Sequence, residues 1–397
     1  MAFTISEAEY KRRIEHVRNR LRKRRLDALY LTNVTSIFYL TGYSYIATER
    51  PAALIVPVDG EITFMGPLLE EDHIPLRTKL IENVKTYVDY PGERHPIERF
   101  AEFLRDIGLA RKRIGIDNKA GAGGTWGYRG QPITRKLRGA KFVGVKDLVP
   151  SMRLIKSEEE IALMKESAKW ANLAHVLLQE YTMEGLWDVE IALAASNEAS
   201  IIMKKTLGPD YQPQRRSTPV TAGFRGQIGE MSAIPHSIAT KRTIRKGDVV
   251  VTGAGADVGG YSCELERTMI MGKPTRKQRR YFSVMVKAQE AAFKAFKPRA
   301  KCSDVDRATI EVFRKAGLTN RVKHHTGHGL GLEGHEPPWL DIGNNALLRA
   351  GMVVSCEPGI YEKGFAGFRH SDTVLITDDG TEIITYYPRD IESLIIP

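Results

Sequence analysis

His324-His325-Thr326-Gly327-His328-Gly329-Leu330-Gly331 places three imidazoles within five positions and threads glycines between them. Glycine permits a sharp backbone path or a close approach by a neighbour, so this cluster reads as one built for display. It could bind a metal, hold an anionic intermediate or shuttle a proton near neutral pH; polar core packing is the plainer use. His335-Glu336-Pro337 follows after a short loop. Met352-Val353-Val354-Ser355-Cys356-Glu357-Pro358-Gly359 then carries an apolar strand to a carboxylate and stops at proline, which sets Glu357 at the edge of a cleft or simply at a strand end. Phe368-Arg369-His370-Ser371-Asp372 adds a charged cluster before a strand through Val374 and Ile376; Arg369 could orient a bound carboxylate, but a structural pair with Asp372 is the favoured expectation.

Upstream, Gly260-Tyr261-Ser262-Cys263-Glu264-Leu265-Glu266-Arg267-Thr268 reads as a strand. Its period of two puts Glu264 and Glu266 on one face and Arg267 on the other. Two neighbouring carboxylates raise one another's pKa and favour a mixed acid–base pair; they could equally bind a cation or lie on a solvated face. Pro235-His236-Ser237 precedes the strand opening at Gly247-Asp248, so His236 is either a displayed acid–base group or a structural surface histidine.

These segments belong to a second domain, residues 153–397, which announces itself with a helix start at Ser157. Ser157 and Glu160 form a capping-box pattern, and Ile161, Met164, Ala168 and Leu173 continue a helical apolar face. Further helices are expected at Trp187–Lys204, Arg276–Phe296 and Cys302–Ala316, alternating with strands at Asp248–Thr252, Gly260–Met271, Gly351–Glu357 and Thr373–Thr377. That alternation is α+β. The first domain, residues 1–152, opens with a basic amphipathic helix carrying Ile14, Val17 and Leu21. It continues with strands at Leu26–Leu31, Ala52–Val58, Ile62–Met65 and Ile114–Ile116, a helix at Pro96–Ile107 and a glycine-rich loop near Ala120–Gly130. It reads as a smaller α/β domain, with no GxGxxG dinucleotide fingerprint.

A length of 397 residues accommodates two hydrophobic cores. The formal charge of +11 is dispersed, and no zinc finger, aromatic RNA-binding motif or basic recognition helix accompanies it; no specific nucleic-acid partner is expected. Cys263, Cys302 and Cys356 form neither a CxxC knuckle nor a disulfide framework, which fits a reducing interior. Residues 1–30 lack the apolar core of a signal peptide and no stretch is long enough to cross a bilayer, so a cytoplasmic location without a membrane partner is expected.

The TGHG, CEPG and RHSD segments, together with the join Arg153-Leu154-Ile155-Lys156-Ser157-Glu158-Glu159-Glu160-Ile161, resemble the "pita-bread" superfamily of creatinase, proline-specific aminopeptidase, prolidase and methionine aminopeptidase. The resemblance covers nearly the whole chain. It implies a pita-bread catalytic domain after a creatinase-like N-terminal domain. In the metallopeptidases of that superfamily two aspartates, a histidine and two glutamates hold two metals. The resemblance puts these on Gly253, Glu264, His328, Glu357 and Ser371, so two ligands are absent; Asp257 and His370 do not occupy the expected register.

Creatinase works on this scaffold without metal, and the resemblance to it is close in Leu265-Glu266-Arg267-Thr268. It implies His236, Glu266, His328 and Glu357 as catalytic groups. Arg50 is implied as an arginine that meets the substrate carboxylate across a homodimer, and His325, His335, Glu264 and His370 complete the substrate contacts. Thr48 replaces an aromatic group of creatinase, an arginine is replaced near Trp339, and Ser371 replaces a later site histidine; these departures argue against creatine. The expectation is therefore a metal-independent hydrolase with no cofactor, cleaving a C–N bond in another small amide, amidine or cyclic compound. His236 is its expected base. Two alternatives stand beside it: a divergent Xaa-Pro dipeptidase or aminopeptidase using one divalent metal such as Mn, Co or Zn, and a catalytically silent binding protein.

Overall fold

A computed structural model of the chain describes residues 3–88, 94–119, 131–215, 218–238 and 242–397. The glycine-rich loop expected near Ala120–Gly130 lies outside the described residues. Two compact units result, one comprising Ile5–Arg153 and the other Met1–Thr4 with Leu154–Pro397.

The N-terminal unit is a six-stranded mixed sheet in the order Asn83–Tyr87, Thr63–Pro67, Ala53–Pro57, Ala28–Leu31, Arg113–Ile116, Lys141–Gly144. Ala28–Leu31 and Ala53–Pro57 are buried almost throughout, as continuous apolar runs in a central sheet should be. The helix Pro96–Asp106 lays Ile97, Phe100, Ala101 and Leu104 into the same core. The opening helix, Glu7–Lys23, buries Ile14, Val17 and Leu21 at the expected spacing.

The C-terminal unit starts at the helix Glu158–Tyr181. Its capping box is present: the Glu160 backbone N–H donates to Ser157 Oγ at 3.3 Å and the Ser157 N–H donates to Glu160 Oε2 at 2.9 Å. Three further helices, Asp188–Leu207, Arg276–Ala295 and Cys302–Lys315, accompany sheets that are antiparallel apart from the pairing of Thr268–Met271 with Ile395–Ile396. The largest of these sheets has the order Glu336–Leu340, Gly327–Gly329, Val353–Cys356, Asp372–Ile376, Thr381–Ile383. Beneath it Phe296, Cys302, Val305, Leu340, Val354 and Val374 form a closed apolar core.

One expected strand is interrupted. Gly260–Met271 divides into Tyr261–Ser262 and Thr268–Met271, and these belong to different sheets. The stretch between them crosses over: Leu265 bridges to Ala254, and Glu266 bridges to Ser371. Glu264 and Glu266 therefore stand at a seam between sheets and not on the flank of a regular strand. Among the described residues no helix is long and apolar enough to cross a membrane.

Candidate metal centre

His328 occupies the middle of a strand squeezed from both sides. A Cβ at Gly327 would lie 2.1 Å from the Ser355 carbonyl oxygen, and one at Gly329 would lie 2.2 Å from that of Pro337. Only glycine fits either place, and the two flanking glycines hold the imidazole between adjacent strands. His328 Nδ1 donates to the Gly329 carbonyl at 3.0 Å, which leaves Nε2 as the nitrogen with a free lone pair. Nε2 is 3.1 Å from Glu357 Oε1 and 3.9 Å from Glu264 Oε2, yet it is buried without a hydrogen-bond partner.

The carboxylates gather around that nitrogen. Ligand atoms of Glu264, Glu266 and Glu357 lie within 4.8 Å of one another, as do those of Glu264, His328 and His335. Glu264 belongs to both groups. Desolvation first, then the charges of Glu357 and Glu266, push Glu264 up to about 8. Burial opposes a charge on His328, but Glu357 and Glu264 outweigh it and carry the imidazole upward. Burial also raises Glu357, and His328, His324 and Arg369 together overcome it and bring it down. The upward shifts of Glu264 and His328 express a deficit of positive charge, while Glu357 is already served by the groups around it.

An ion answers that deficit. Two ligands bound about 2.1 Å from a common ion lie roughly 3 to 4 Å apart, and the His328 separations of 3.1 and 3.9 Å fall in that range. An orphaned imidazole lone pair between two carboxylates is the donor set of a divalent cation site.

The two positions that lack a ligand are built differently. Gly253 has no side chain, but the Cβ it lacks would stand 3.6 Å from Glu266 Oε1, so Glu266 brings a carboxylate to the place from a neighbouring segment. Buried Arg369 grips that carboxylate with two nitrogens, Nε on Oε2 and Nη2 on Oε1 at 2.7 Å, and its Nε also lies 4.0 Å from Glu357 Oε2. Ser371 Oγ donates to Glu264 Oε1 at 2.6 Å and so spends its proton on a ligand. The expected Arg369–Asp372 pair does not form. Asp372 is bound instead by Arg267, at 2.8 Å and fully buried.

The remaining predicted residues are placed as follows. His335 is exposed and stacks on His328, with ring centroids 3.8 Å apart. His236 is exposed on a turn, close enough for its charge to be felt at His335. His325 stands edge-on to His328 at 6.3 Å. His370 is fully buried, packed edge-on against Phe282 and turned toward the charges of Arg267 and Arg389. Arg50 belongs to the N-terminal unit, where it pairs with Glu49 at 2.9 Å. Sequence reasoning missed Arg369 as a member of the site, and it missed Arg225, whose Nη2 lies 3.4 Å from Glu266 Oε1.

Residues 162–378 match the model of metallopeptidase family M24, and residues 13–155 match that of the creatinase/prolidase N-terminal domain. An Xaa-Pro dipeptidase from Pyrococcus furiosus is 28% identical over 385 residues, covering 96% of this chain and 99% of that protein. The structure of dipeptidase PepE from Mycobacterium ulcerans superposes with a TM-score of 0.81 at 26% identity, over 99% of this chain and 100% of that one. An Xaa-Pro dipeptidase from Bacillus anthracis superposes at 0.78 with 25% identity, over 97% and 99%.

The pita-bread fold behind a creatinase-like N-terminal domain is thus confirmed, and so is hydrolysis of a carbon–nitrogen bond. Three expectations are corrected. Placement in the metal-independent creatinase branch, a creatinase-like cleavage of amides or amidines, and a centre with no metal all give way. The clustered carboxylates and imidazoles, and the Xaa-Pro dipeptidases among the relatives, point to the metal-dependent branch. Counting five fixed ligand positions misled the sequence reading, because the three that remain, Glu264, His328 and Glu357, still bring two carboxylates to one imidazole nitrogen. The chain belongs to metallopeptidase family M24.

Proposed function

We propose that this chain is a metal-dependent dipeptidase acting on Xaa-Pro-type substrates, with one divalent ion held by Glu264, His328 and Glu357. The observation that carries this reading is the buried, unbonded Nε2 of His328 facing two carboxylates. Charge balance supports a single ion. Arg369 neutralises Glu266, which leaves the charges of Glu264 and Glu357 to match one divalent cation. Mn, Co or Zn suits two carboxylates and an imidazole. When bound, the ion supplies Lewis acidity to the scissile carbonyl and acidifies the attacking water.

The chain's own groups do the rest. Glu264 and Glu357, lining the cleft, accept the proton that the water loses as its oxygen adds to the carbonyl carbon. As the C–N bond breaks, His335 at the open side of His328 delivers a proton to the departing nitrogen. Burial and the His328 charge lower the His335 pKa, so the ring gives up at once the proton it takes from the carboxylates and acts as a relay to the nitrogen. All three cysteines are free and buried, which supports action in a reducing interior. Self-association as a homodimer is part of this proposal.

The test is elemental analysis of the purified protein coupled to an Xaa-Pro dipeptide hydrolysis assay. About one ion per chain is expected, with turnover lost to a chelator and restored by Mn, Co or Zn; His328→Ala should lose both ion and turnover. Full activity in metal-free protein, or no dipeptide cleavage with any of the three ions, overturns the reading.

A further inference from the structure

His335 has little of its own to hold it in place. Its exposed ring lies on that of His328, 3.8 Å between centroids and 20° between planes, and among the described residues it makes no hydrogen bond. A stack of two rings is a weak restraint by itself. The position of this imidazole therefore depends on the backbone that carries it.

That backbone is anchored one residue later. Successive side chains on extended chain point to opposite faces, and Glu336, opening the strand Glu336–Leu340, faces inward where His335 faces out. Glu336 Oε1 accepts from Lys156 Nζ at 3.0 Å, and the lysine and glutamate side chains are only 2% and 5% exposed. Gly331 makes room for the pair: a Cβ there would stand 3.0 Å from Glu336 Oε1 and 3.1 Å from Lys156 Cε.

Lys156 is fixed at its other end. Its backbone N–H donates to the Gly351 carbonyl at 2.8 Å. Gly351 has a φ of 82°, and a Cβ there would meet Ile155 Cγ2 at 2.8 Å, so the two segments pack backbone against backbone. The strand Val353–Cys356 begins just beyond and leads to Glu357, a ligand of the proposed ion. One lysine thus connects the root of the Glu357 strand to the residue beside His335. A buried ion pair adds little stability over an apolar pair of similar volume, which leaves the fixing of one arrangement as its use. We infer that Lys156, acting through Glu336, is a positioning residue that keeps His335 stacked on His328 and so in register with the ion's ligands. This rests on the relay role given to His335 above.

Replacing both charges together, Lys156→Met with Glu336→Leu, keeps the buried volume and strands no charge, so the chain should fold. Magnetic resonance of isotope-labelled histidine in zinc-containing buffer reads the position directly. The His335 ring signal, identified by its loss in His335→Ala, should move in the double variant from a ring-current-shifted place to that of a solvated imidazole. With an Xaa-Pro dipeptide, kcat should fall on the order of 10- to 100-fold, while KM and the number of bound ions stay unchanged. The same double replacement made in His335→Ala should cost nothing further, because groups acting through one residue are not additive. Glu336→Gln, which keeps the shape and weakens the grip, should give the same signs at smaller size and serves if the double variant does not fold. An unmoved His335 signal, an unchanged kcat, an equal loss in the His335→Ala background or a lost ion overturns the assignment. The spectroscopic readout needs no turnover, so it is decided apart from the dipeptidase reading, which is judged by metal-dependent cleavage in the unaltered protein.

Discussion

On one side of the cleft, His328 and Glu357 hold a ring nitrogen and a carboxylate oxygen 3.1 Å apart with no hydrogen bond between them; on the other, the Glu266 carboxylate is closed by the two-nitrogen grip of Arg369. The first side leaves donors unsatisfied and waits for a cation from outside. The second carries its cation in the polypeptide. Both balance the same cluster of acids, so the difference teaches that a missing ligand need not mean a missing positive charge. Where Gly253 and Ser371 contribute no ligand, a buried guanidinium occupies the electrostatic role.

The comparison breaks most sharply at Arg369. Arg369→Met strips buried Glu266 of its buried cation and leaves it the exposed Arg225 at 3.4 Å. Removing one member of a buried ion pair costs about 3–5 kcal/mol, so the guanidinium denaturation midpoint should fall accordingly. Adding Glu266→Gln removes the stranded charge and should recover most of the loss. A cost near zero for Arg369→Met would show that the pair is not a fixed part of the site.

Histidines repeat the contrast. His328 faces carboxylates and its pKa rises, whereas His370 faces Arg267 and Arg389, and His175 faces Arg267. Burial, then these charges, lower both, His175 to about 3. An unfolded imidazole titrates near 6.5. Below that pH the unfolded chain takes up protons that the folded rings refuse, so stability present above pH 6.5 is lost as the pH falls. Between pH 6.5 and 5 each ring should cost about 2 kcal/mol. Denaturation midpoints across that window measure it, and His370→Asn should remove about half of the slope. An unchanged slope in His370→Asn would mean that this ring is not held neutral.

What the sequence displayed and what it hid divide along the same line. His328 and Glu357 were legible because their neighbours are constrained by local geometry: glycines that admit no Cβ, and a proline that ends a strand. Glu264 and Glu266 were legible as a pair of neighbouring acids, and their carboxylates do converge, although at a seam between sheets and not along the regular strand that the two-residue period assumed. Arg369 was assigned to Asp372 because they are near in sequence. Three residues apart on extended chain, however, side chains point to opposite faces. The structure pairs Arg369 with Glu266 and Arg267 with Asp372, each across more than a hundred residues. The seam at Cys263–Arg267, where one strand passes between two sheets, creates those pairings, and no local pattern announces it. Metal dependence was misread for a related reason, since a count of missing ligands cannot see that the remaining ones converge on one imidazole nitrogen.

Ser371 offers the finest test of the two-sided site. If its oxygen were a ligand, Ser371→Ala would remove a metal contact and lower the number of ions bound. The structure gives it another part: its hydroxyl donates to Glu264 Oε1 at 2.6 Å, holding a ligand in place from behind. A group acting on a metal through a ligand typically supports affinity by 10- to 100-fold, and a single hydroxyl belongs at the lower end. Ser371→Ala should therefore weaken the ion by about tenfold, read by competition with a chromogenic chelator, while the saturating stoichiometry stays at one. Glu264 is itself already turned toward His328 and partly fixed by its own backbone N–H donating to Thr373 Oγ1 at 2.9 Å, which limits how far it can stray when the serine is lost. A drop in stoichiometry, in contrast to affinity, would move Ser371 from the supporting side of the site to the liganding side.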